Sequence, residues 1–354
     1  MITDKKLASP VFVLALAHAL VAGAAFFAPY DPAEQHRDAP FAPPARVHFV
    51  DRRGHFHLRP YGCAWIHASP DLQGPRYVED CSRVSPWRFF VRSSPASAWH
   101  FVAPDGPAPV FLLGTDDYGR DQLSRLLVGG QVSLFAGWLA TALSLALGLV
   151  AGAAAGYFGG WLDDAIMRAT EVFMALPWIY LLFAARAFLP LDLGPRQTFF
   201  LIVAIVGLAG WARPARLVRG VVLTARERDF VRAARGFGAR DAYILRCHVL
   251  PEAASVVVTQ AVLLVPQSIL AEVTLSFFGL GVGEPIPSWG NMLAALARYY
   301  VLRSYWWMFL PGLALVLIFL VYNALADRLL ARFEPARAGH GTGPAGMARL
   351  GEAR

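Results

Sequence analysis

Long apolar runs separated by polar segments dominate the chain. A helix needs about twenty mostly apolar residues to cross ~30 Å of hydrocarbon, and a lone backbone segment in lipid satisfies its polar groups only as a helix. The pattern therefore predicts an all-α polytopic membrane protein with six transmembrane helices. Pro177 interrupts the third run, and the fourth run is short. The predicted spans are Pro10–Ala28, Gln131–Gly156, Thr170–Pro190, Gln197–Trp211, Ala253–Val273 and Tyr305–Ala326.

The polar segments between these runs orient the spans. Nine arginines and only four acidic residues lie between the fourth and fifth runs, within residues 213–252. Residues 29–129 instead hold eleven arginines and eleven acidic residues. Lys5 and Lys6 precede the first span, and further arginines follow the last one. Cytoplasmic loops carry the excess of Lys and Arg, so we expect both termini and the 213–252 loop in the cytoplasm and residues 29–129 outside.

The start of the chain has a second interpretation. Lys5 and Lys6, an apolar stretch and the small residues Ala22–Ala25 also form the pattern of a cleaved signal peptide. Cleavage would leave the orientation of the remaining spans unchanged. Orientation therefore does not separate the two interpretations, and both stay open.

Segment 29–129 is rich in proline, aromatic residues and histidine. Its stretch 46–59 alternates apolar and polar residues around Gly54, which is typical of a β-hairpin. We therefore expect a small β-rich extracytoplasmic insertion packed on the membrane face. Cys63 and Cys81 would lie on the oxidising side, where a disulfide is stable; whether they are bonded stays open.

Composition limits the chemistry of the chain. It is 56% hydrophobic and only 16% charged, whereas soluble domains average roughly 25% charged residues. Lys5 and Lys6 are the only lysines, so no phosphate-binding loop of the GxxxxGK[ST] form is present. His55 and His57 fall on one strand face, as metal ligands do, but no carboxylate cluster nearby completes a site. We expect two solvated histidines, and we predict neither catalytic nor metal-binding residues.

The arginine-rich segment between the fourth and fifth spans predicts a compact helical unit. Thr224 and Glu227 have the spacing of a capping box, with helix following through Arg235. Gly236 and Gly238 then interrupt the helix, because glycine turns into the left-handed region at little cost. A second helix over 240–249 ends at Pro251, which suits the first turn of the fifth span. A plain polar loop that obeys the charge rule is the alternative.

The spacing within this segment resembles the EAA loop of ABC importer permeases, E-A-A-x3-G-x9-I-x-L-P. The chain departs from that motif at Arg232, which replaces Glu, and at His248, which replaces Ile. The resemblance implies a surface that docks on an ATPase. We expect the small residues to form that surface, because the ATPase would pack closely against them. The matching positions are Arg232, Ala233, Ala234, Gly238, His248, Leu250 and Pro251.

Three further stretches resemble the C-type permease subunit of dipeptide and oligopeptide importers. They lie at 113–125, at 156–161 with 175–177, and at 275–281 with 287–292. The resemblance implies the type I ABC importer permease fold and transport of di- or oligopeptides into the cytoplasm. A nickel chelate, an oligosaccharide or a peptide antibiotic is the alternative substrate. More distant alternatives are a membrane enzyme with an extracytoplasmic catalytic loop, a channel and a receptor.

The same resemblance implies which partners this chain has and how the chain is divided into segments. The partners are a second permease subunit, two ATP-binding subunits that hold ATP and Mg²⁺, and an extracytoplasmic peptide-binding protein, with no nucleic acid. This chain would be a multi-pass protein of the bacterial inner membrane, with no cofactor and no enzymatic activity of its own. We divide it into 1–28 (tail and first helix), 29–129 (insertion), 130–330 (five-helix core with coupling loop 213–252) and 331–354 (flexible tail).

Three groups of residues have two interpretations each. Gly148, Gly152 and Gly156 form a small-residue ridge, which serves either tight helix packing or a pore lining. Glu272 lies near the end of the fifth span, where it either lines or gates a pathway or forms a salt bridge. The charged residues of 116–125 resemble a metal or catalytic cluster, but the family resemblance implies an amphipathic outer helix and its cap.

Overall fold

The computed structural model describes residues 5–50, 55–71, 74–92, 99–106, 108–188, 190 and 193–333. The predicted flexible tail lies outside the described residues from position 334 onward. Four strands separate two groups of helices along the chain: β1 (His48–Val50), β2 (Phe56–Asp71), β3 (Gly74–Arg92) and β4 (Trp99–Pro104). The helices are α1 (Lys5–Ala22), α2 (Ala24–Phe27), α3 (Gln122–Phe158), α4 (Gly160–Ala175), α5 (Trp178–Ala187), α6 (Pro195–Gly210), α7 (Ala212–Ala225), α8 (Asp229–Gly236), α9 (Asp241–Ile244), α10 (Ala254–Phe277), α11 (Trp289–Ala294), α12 (Tyr299–Ser304) and α13 (Leu310–Phe333).

Three continuous helical segments are long and apolar enough to cross a membrane, namely Gln122–Phe158, Asp241–Phe277 and Trp306–Ala331. Two bent pairs pass the same test together: α4 with α5, and α6 with α7. Counting each bent pair as one span gives up to five spans among the described residues. A shorter apolar helix, Ala8–Ala22, overlaps the first predicted span, Pro10–Ala28.

The third predicted span, Thr170–Pro190, is a bent pair of helices and not one continuous helix. α4 and α5 meet at 95°, and Leu176 between them is extended, with φ −83° and ψ 135°. Pro177 explains the break, because proline lacks the N–H of the helix ladder and disfavours helical geometry in the residue before it. The fourth predicted span, Gln197–Trp211, ends where α6 meets α7 at an angle of 44°. The helical structure therefore continues, after a bend, beyond the predicted apolar run.

The α3 helix runs through the centre of the bundle. Its first half packs with α1, α10 and α13 around Leu134, Val265 and Ile269, which are almost fully buried. On another face it packs with α6 and α10 around Ala136 and Leu275. α3 begins at Gln122, directly after the capping residue Asp121, and therefore crosses the boundary that the sequence placed at 129–130.

The glycine ridge of α3 packs against α7. An added Cβ at Gly148 would lie 2.6 Å from Pro214 Cβ, and one at Gly156 would lie 2.9 Å from Arg219 O. At Gly152 the added atom would overlap the carbonyl oxygen of Ala215. In this structure the three glycines therefore serve close helix packing within the chain.

The four strands form one antiparallel sheet in the order β1-β2-β3-β4. Tyr77 of the sheet donates to the carbonyl of Pro40 at 2.6 Å, and Trp65 packs on a small core that contains Phe111. Cys63 and Cys81 are joined by a disulfide between β2 and β3. The sheet therefore sits beside the first residues of α3, and residues 229–253 lie beyond the other end of that helix.

Candidate functional site

Residues 229–253, here called the knob, consist of α8, a glycine turn, α9, a π-helical turn (Leu245–Val249) and a 3₁₀ turn (Leu250–Ala253). Gly238 has φ +79°, which glycine adopts without steric cost. The predicted capping box is wrong, because Thr224 is still inside α7 and donates to the carbonyl of Gly220 at 3.2 Å. α7 continues to Ala225, which is buried against the bundle, and α8 begins after Arg228 without a side-chain cap.

One face of the knob is an apolar core. Val231, Ile244 and Val249 are completely buried and pack with residues of α7 and α3, among them Val222 and Tyr157. Close-packed interiors of this kind deform little and transmit displacement. The knob is therefore attached to α7 and α3 as one unit.

Polar contacts add to this attachment. Tyr157 at the end of α3 donates to Asp241 Oδ1 at 2.6 Å and accepts from Arg235 Nη2 at 3.4 Å. Arg226 Nη1 donates to the carbonyl of Gly156 at 2.8 Å. Because these bonds join α8 and α9 to α3, a force on the knob reaches the centre of the bundle without an intervening flexible segment.

The opposite face of the knob exposes aromatic rings. Phe237, in the glycine turn, is 92% exposed. The ring of His248 lies 5.9 Å from that of Phe230 and 5.7 Å from that of Tyr243. Exposed aromatic groups on a rigid surface are typical binding anchors. The sequence analysis did not identify these rings as a surface feature. The available indication was that Phe230, Phe237 and Tyr243 lie within an otherwise arginine-rich segment.

The residues of the EAA-like motif are divided between the buried apolar core and the exposed surface of the knob. Ala233 and Gly238 are exposed, whereas Ala234 is half-buried and packs toward the core with Leu250. Arg232, at the motif's Glu position, is exposed and pairs with Glu227 at 3.2 Å. His248 belongs to the ring cluster, and Pro251 begins the 3₁₀ turn that leads into α10. Of the small residues expected to dock on the ATPase, Ala233 and Gly238 are thus exposed and Ala234 only partly, and their docking role stays a prediction.

Glu272 is enclosed within the bundle. Its side chain is 1% exposed and accepts a hydrogen bond from Ser276 Oγ at 2.6 Å. The other carboxylate oxygen, Oε2, is buried and has no hydrogen-bond partner among the described residues. In this conformation the carboxylate is therefore held by a single hydroxyl group of its own helix, α10.

The charged residues at the start of α3 form a cluster with Glu284, in which Asp116, Arg120 and Arg125 are buried and Glu284 is half-exposed. Arg120 Nε donates to Asp116 Oδ2 at 2.7 Å, and Arg125 Nη2 donates to Glu284 Oε1 at 2.9 Å. Burial opposes ionisation of Glu284, but Arg125 and Arg120 outweigh it and lower the pKa of that carboxyl. The amphipathic helix and cap expected over 116–125 are confirmed only in part: residues 116–120 form a turn, Asp121 is the cap, and the helix starts at Gln122 as the beginning of α3.

Asp121 is the buried acid of this turn. Its Oδ2 accepts from the backbone N–H of Ser124 at 2.8 Å and from its hydroxyl at 2.6 Å. Burial raises the pKa of Asp121 to about 6, against the opposing effect of the Ser124 hydrogen bonds. This arrangement fixes the start of α3 and is typical of a structural N-cap.

The chain belongs to the family of binding-protein-dependent transport system inner membrane components, whose model matches residues 147–339. It is the permease subunit of an ABC importer, and as such works with ATPase and substrate-binding partners and is not itself an enzyme.

Named relatives each match about two thirds of the chain. The chain is 38% identical over 223 residues to a putative peptide permease protein of Brucella suis, covering 63% of this chain and 72% of the relative. It is 35% identical over 230 residues to the dipeptide transport system permease protein DppC of Bacillus subtilis, covering 65% and 70%. The glutathione transport system permease protein GsiD of Escherichia coli is 38% identical over 231 residues, covering 65% and 74%. A chain of the inward-facing MetNI methionine ABC transporter superposes with a TM-score of 0.45 and 18% identity, covering 58% of this chain and 95% of that chain.

Proposed function

We propose that this permease moves di- or oligopeptides into the cytoplasm. Relatives at 35–38% identity carry the names of dipeptide, glutathione and peptide permeases. The family model matches residues 147–339, which hold the knob and most of the helical bundle, the part that would form a pathway and couple it to energy. A permease of the same class for a nickel chelate, an oligosaccharide or a peptide antibiotic is the alternative.

The proposed topology has six spans. They are the three continuous helical segments, the two bent pairs and α1. The charge distribution supports a cytoplasmic knob and cytoplasmic termini, because nine arginines lie within 213–252. The sheet and the charged cluster would then lie on the extracytoplasmic side. The Cys63–Cys81 disulfide suits that side, because disulfides persist in oxidising compartments.

The proposed complex contains this chain, a second permease, two ATP-binding subunits and an extracytoplasmic peptide-binding protein. ATP and Mg²⁺ would be bound by the ATP-binding subunits, and this chain would carry no cofactor of its own. Peptides would cross between the two permeases. The arginine-rich knob would face the ATP-binding subunits from the cytoplasmic end of the bundle.

The knob would couple ATP hydrolysis to transport as a rigid lever. Its aromatic face would enter a cleft on one ATP-binding subunit, and its apolar face moves with α7 and α3. Closure of the ATP-bound dimer would then displace α3 and α10 together. Coupling of this kind requires contacts that differ between the inward-open and outward-open states. The exposure of Phe237 is the observation that carries this assignment.

The test of the docking surface is Phe237→Asp. Loss of a buried aromatic anchor at an interface costs about 2 kcal/mol, a roughly 30-fold loss of affinity. We expect the variant to insert normally but to lose co-purification of the ATP-binding subunits and peptide uptake, while Phe237→Tyr retains both. Phe49→Ser, which changes an exposed aromatic residue on the sheet, is the matched control. Normal uptake by Phe237→Asp would contradict the assignment.

The substrate is tested separately, in cells that lack their own peptide uptake. Expression of the complete complex should restore accumulation of labelled di- and tripeptides, and unlabelled peptide should compete. Uptake of a nickel chelate or an oligosaccharide without peptide uptake would favour the alternative substrates and leave the docking assignment intact.

A further inference from the structure

The sheet brings four metal-binding side chains to one place. His48 on β1, Cys63 on β2, and Glu79 and Cys81 on β3 each offer a donor atom, and these atoms all lie within 4.8 Å of one another. Thiolate, imidazole and carboxylate are the ligands that Zn²⁺ prefers, in a tetrahedral set of four. This cluster is distinct from His55 and His57, which the sequence analysis expected to be solvated, and it was not predicted from the sequence.

The strand register explains why these side chains meet. His48 is opposite Tyr61, and Glu79 is opposite Trp65. Cys63 lies between Tyr61 and Trp65 on β2, and alternate residues of a strand share a face. His48, Cys63 and Glu79 therefore lie on one face of the sheet, although they are far apart in the sequence.

A bulge places Cys81 beside them. Val84 and Asp80 of β3 pair with the adjacent residues Cys63 and Ala64 of β2. Residues 81–83 are thus extra residues of β3 that have no partner in the β2 ladder. β-bulges redirect side chains and are frequent at functional sites. Here the bulge places the sulfur of Cys81 within bonding distance of the sulfur of Cys63, and the two form the disulfide.

The surroundings suit a bound cation. Cys63 is 1% exposed, and the side chains of His48 and Glu79 are only partly exposed. His48 Nε2 donates to Glu79 Oε1 at 2.7 Å, so the two groups already converge. Arg46 Nη1 lies 3.9 Å from Glu79 Oε2, and its positive charge would balance the excess negative charge of two thiolates and one carboxylate around Zn²⁺.

We propose that Cys63 and Cys81, in their reduced form, bind Zn²⁺ together with His48 and Glu79, and that formation of the disulfide closes this site. The chain is synthesised with both thiols reduced. Zn²⁺ binding releases the two thiol protons and leaves two Zn–S bonds. The Nε2 proton of His48 moves to Nδ1, so Nε2 supplies a lone pair.

Oxidation is the competing reaction. An oxidised dithiol oxidoreductase, as found in extracytoplasmic compartments, accepts two electrons from Cys63 and Cys81 and is itself reduced to a dithiol. The two protons that it takes up come from the two thiols in the metal-free protein and from water in the Zn²⁺-bound protein. In the bound protein the Cys63–Cys81 bond replaces both Zn–S bonds and Zn²⁺ is released to solvent, because the disulfide sulfurs are no longer thiolates. The site therefore exists in one redox state only, and it does not depend on which substrate the permease carries.

The experiment uses the full-length permease in detergent, with Cys247→Ser to leave a single cysteine pair. The protein is reduced with a phosphine, freed of reductant without air and titrated with Co²⁺ and then Zn²⁺. We expect thiolate-to-cobalt charge-transfer absorption with tetrahedral ligand-field bands, which Zn²⁺ removes. His48→Ala and Glu79→Gln should weaken Co²⁺ binding at least tenfold, and Cys63→Ser should abolish the charge-transfer band. His55→Ala, the matched control, should bind as the parent does.

A second measurement does not depend on the folding of any variant. Zn²⁺ should slow disulfide formation by oxidised glutathione in the parent protein, read as thiols that remain open to alkylation. The proposal is overturned if the reduced parent gives no thiolate–cobalt band or if the air-oxidised protein gives the same band. Unchanged binding by both His48→Ala and Glu79→Gln would also overturn it, as would oxidation at the same rate with and without Zn²⁺.

Discussion

At the scale of single residues, the buried charges decide how the sheet end of the bundle is held. Asp116 is 3% exposed, and its Oδ1 accepts from the backbone N–H groups of Tyr118 and Arg120. Its Oδ2 accepts from Arg120 Nε and lies 3.4 Å from Arg125 Nε. One carboxylate thus holds a turn and compensates two buried guanidinium groups.

Replacement of Asp116 should therefore be costly. Removing one partner of a buried ion pair leaves an uncompensated charge and costs roughly 3–5 kcal/mol. We expect Asp116→Ala to lower the thermal unfolding midpoint of the detergent-solubilised permease substantially. Asp117→Ala is the matched control, because Asp117 pairs with the half-exposed Arg298, and exposed pairs contribute about 1 kcal/mol or less. Equal effects of the two variants would contradict the assignment of Asp116 as the centre of the cluster.

At the scale of elements, close approach of α3 and α7 depends on the absence of side chains at three positions. Gly152 faces the carbonyl oxygen of Ala215 so closely that an added Cβ would overlap it. The knob is attached directly after α7, so this contact also determines how the knob is placed relative to α3. A change in the ridge should therefore affect both stability and coupling.

The prediction for this contact compares two Gly→Ala variants that add the same single methyl group. Overpacking a close contact costs about 1–3 kcal/mol, so Gly152→Ala should lower the unfolding midpoint and reduce peptide uptake. Gly220→Ala in α7 should leave both unchanged or slightly raise stability, because nothing lies within 4 Å of the added atom and alanine favours helix over glycine. A Gly152→Ala permease as stable as the parent would show that the two helices can separate at little cost.

At the scale of the whole molecule, the proposed orientation places the knob and the sheet on opposite sides of the membrane. α3 runs from the capping residue Asp121 near the sheet to Tyr157 at the knob. The sheet end holds a disulfide and a balanced set of charges, and the knob end holds an excess of arginine. The disulfide and the charge distribution both support the proposed orientation, in which the sheet end is extracytoplasmic and the knob end is cytoplasmic.

Cys247 provides the test of that orientation, because it is a free, exposed cysteine of the knob. In the permease expressed without its partners, a membrane-impermeant maleimide should label Cys247 only after the membrane is permeabilised. In a Cys247→Ser background, Phe49→Cys on the sheet should be labelled in intact cells. Labelling of Cys247 from outside in intact cells would reverse the orientation.

The sequence alone determined the membrane class, the family and the position of the knob, because long apolar runs and the spacing around Gly238 are local properties of the chain. It also indicated where the third span would break, since Pro177 acts on its immediate neighbours. The sequence-based prediction was wrong at Thr224. The sequence predicted a helix start with Thr224 as its cap, but α7 extends through this position to Ala225, which is buried against the bundle. Short-range signals of this kind are overridden when tertiary packing favours another end of the helix.

Tertiary structure alone decided which residues meet. The two faces of the knob, the pairing of Glu284 with Arg125, and the convergence of His48, Cys63 and Glu79 depend on contacts between residues far apart in the chain. Such contacts follow from helix crossing and strand register, where a shift of one residue moves a side chain to the other face. One sequence by itself carries no record of register, so the exposed Phe237 and the convergence of the four donor side chains became visible only in three dimensions.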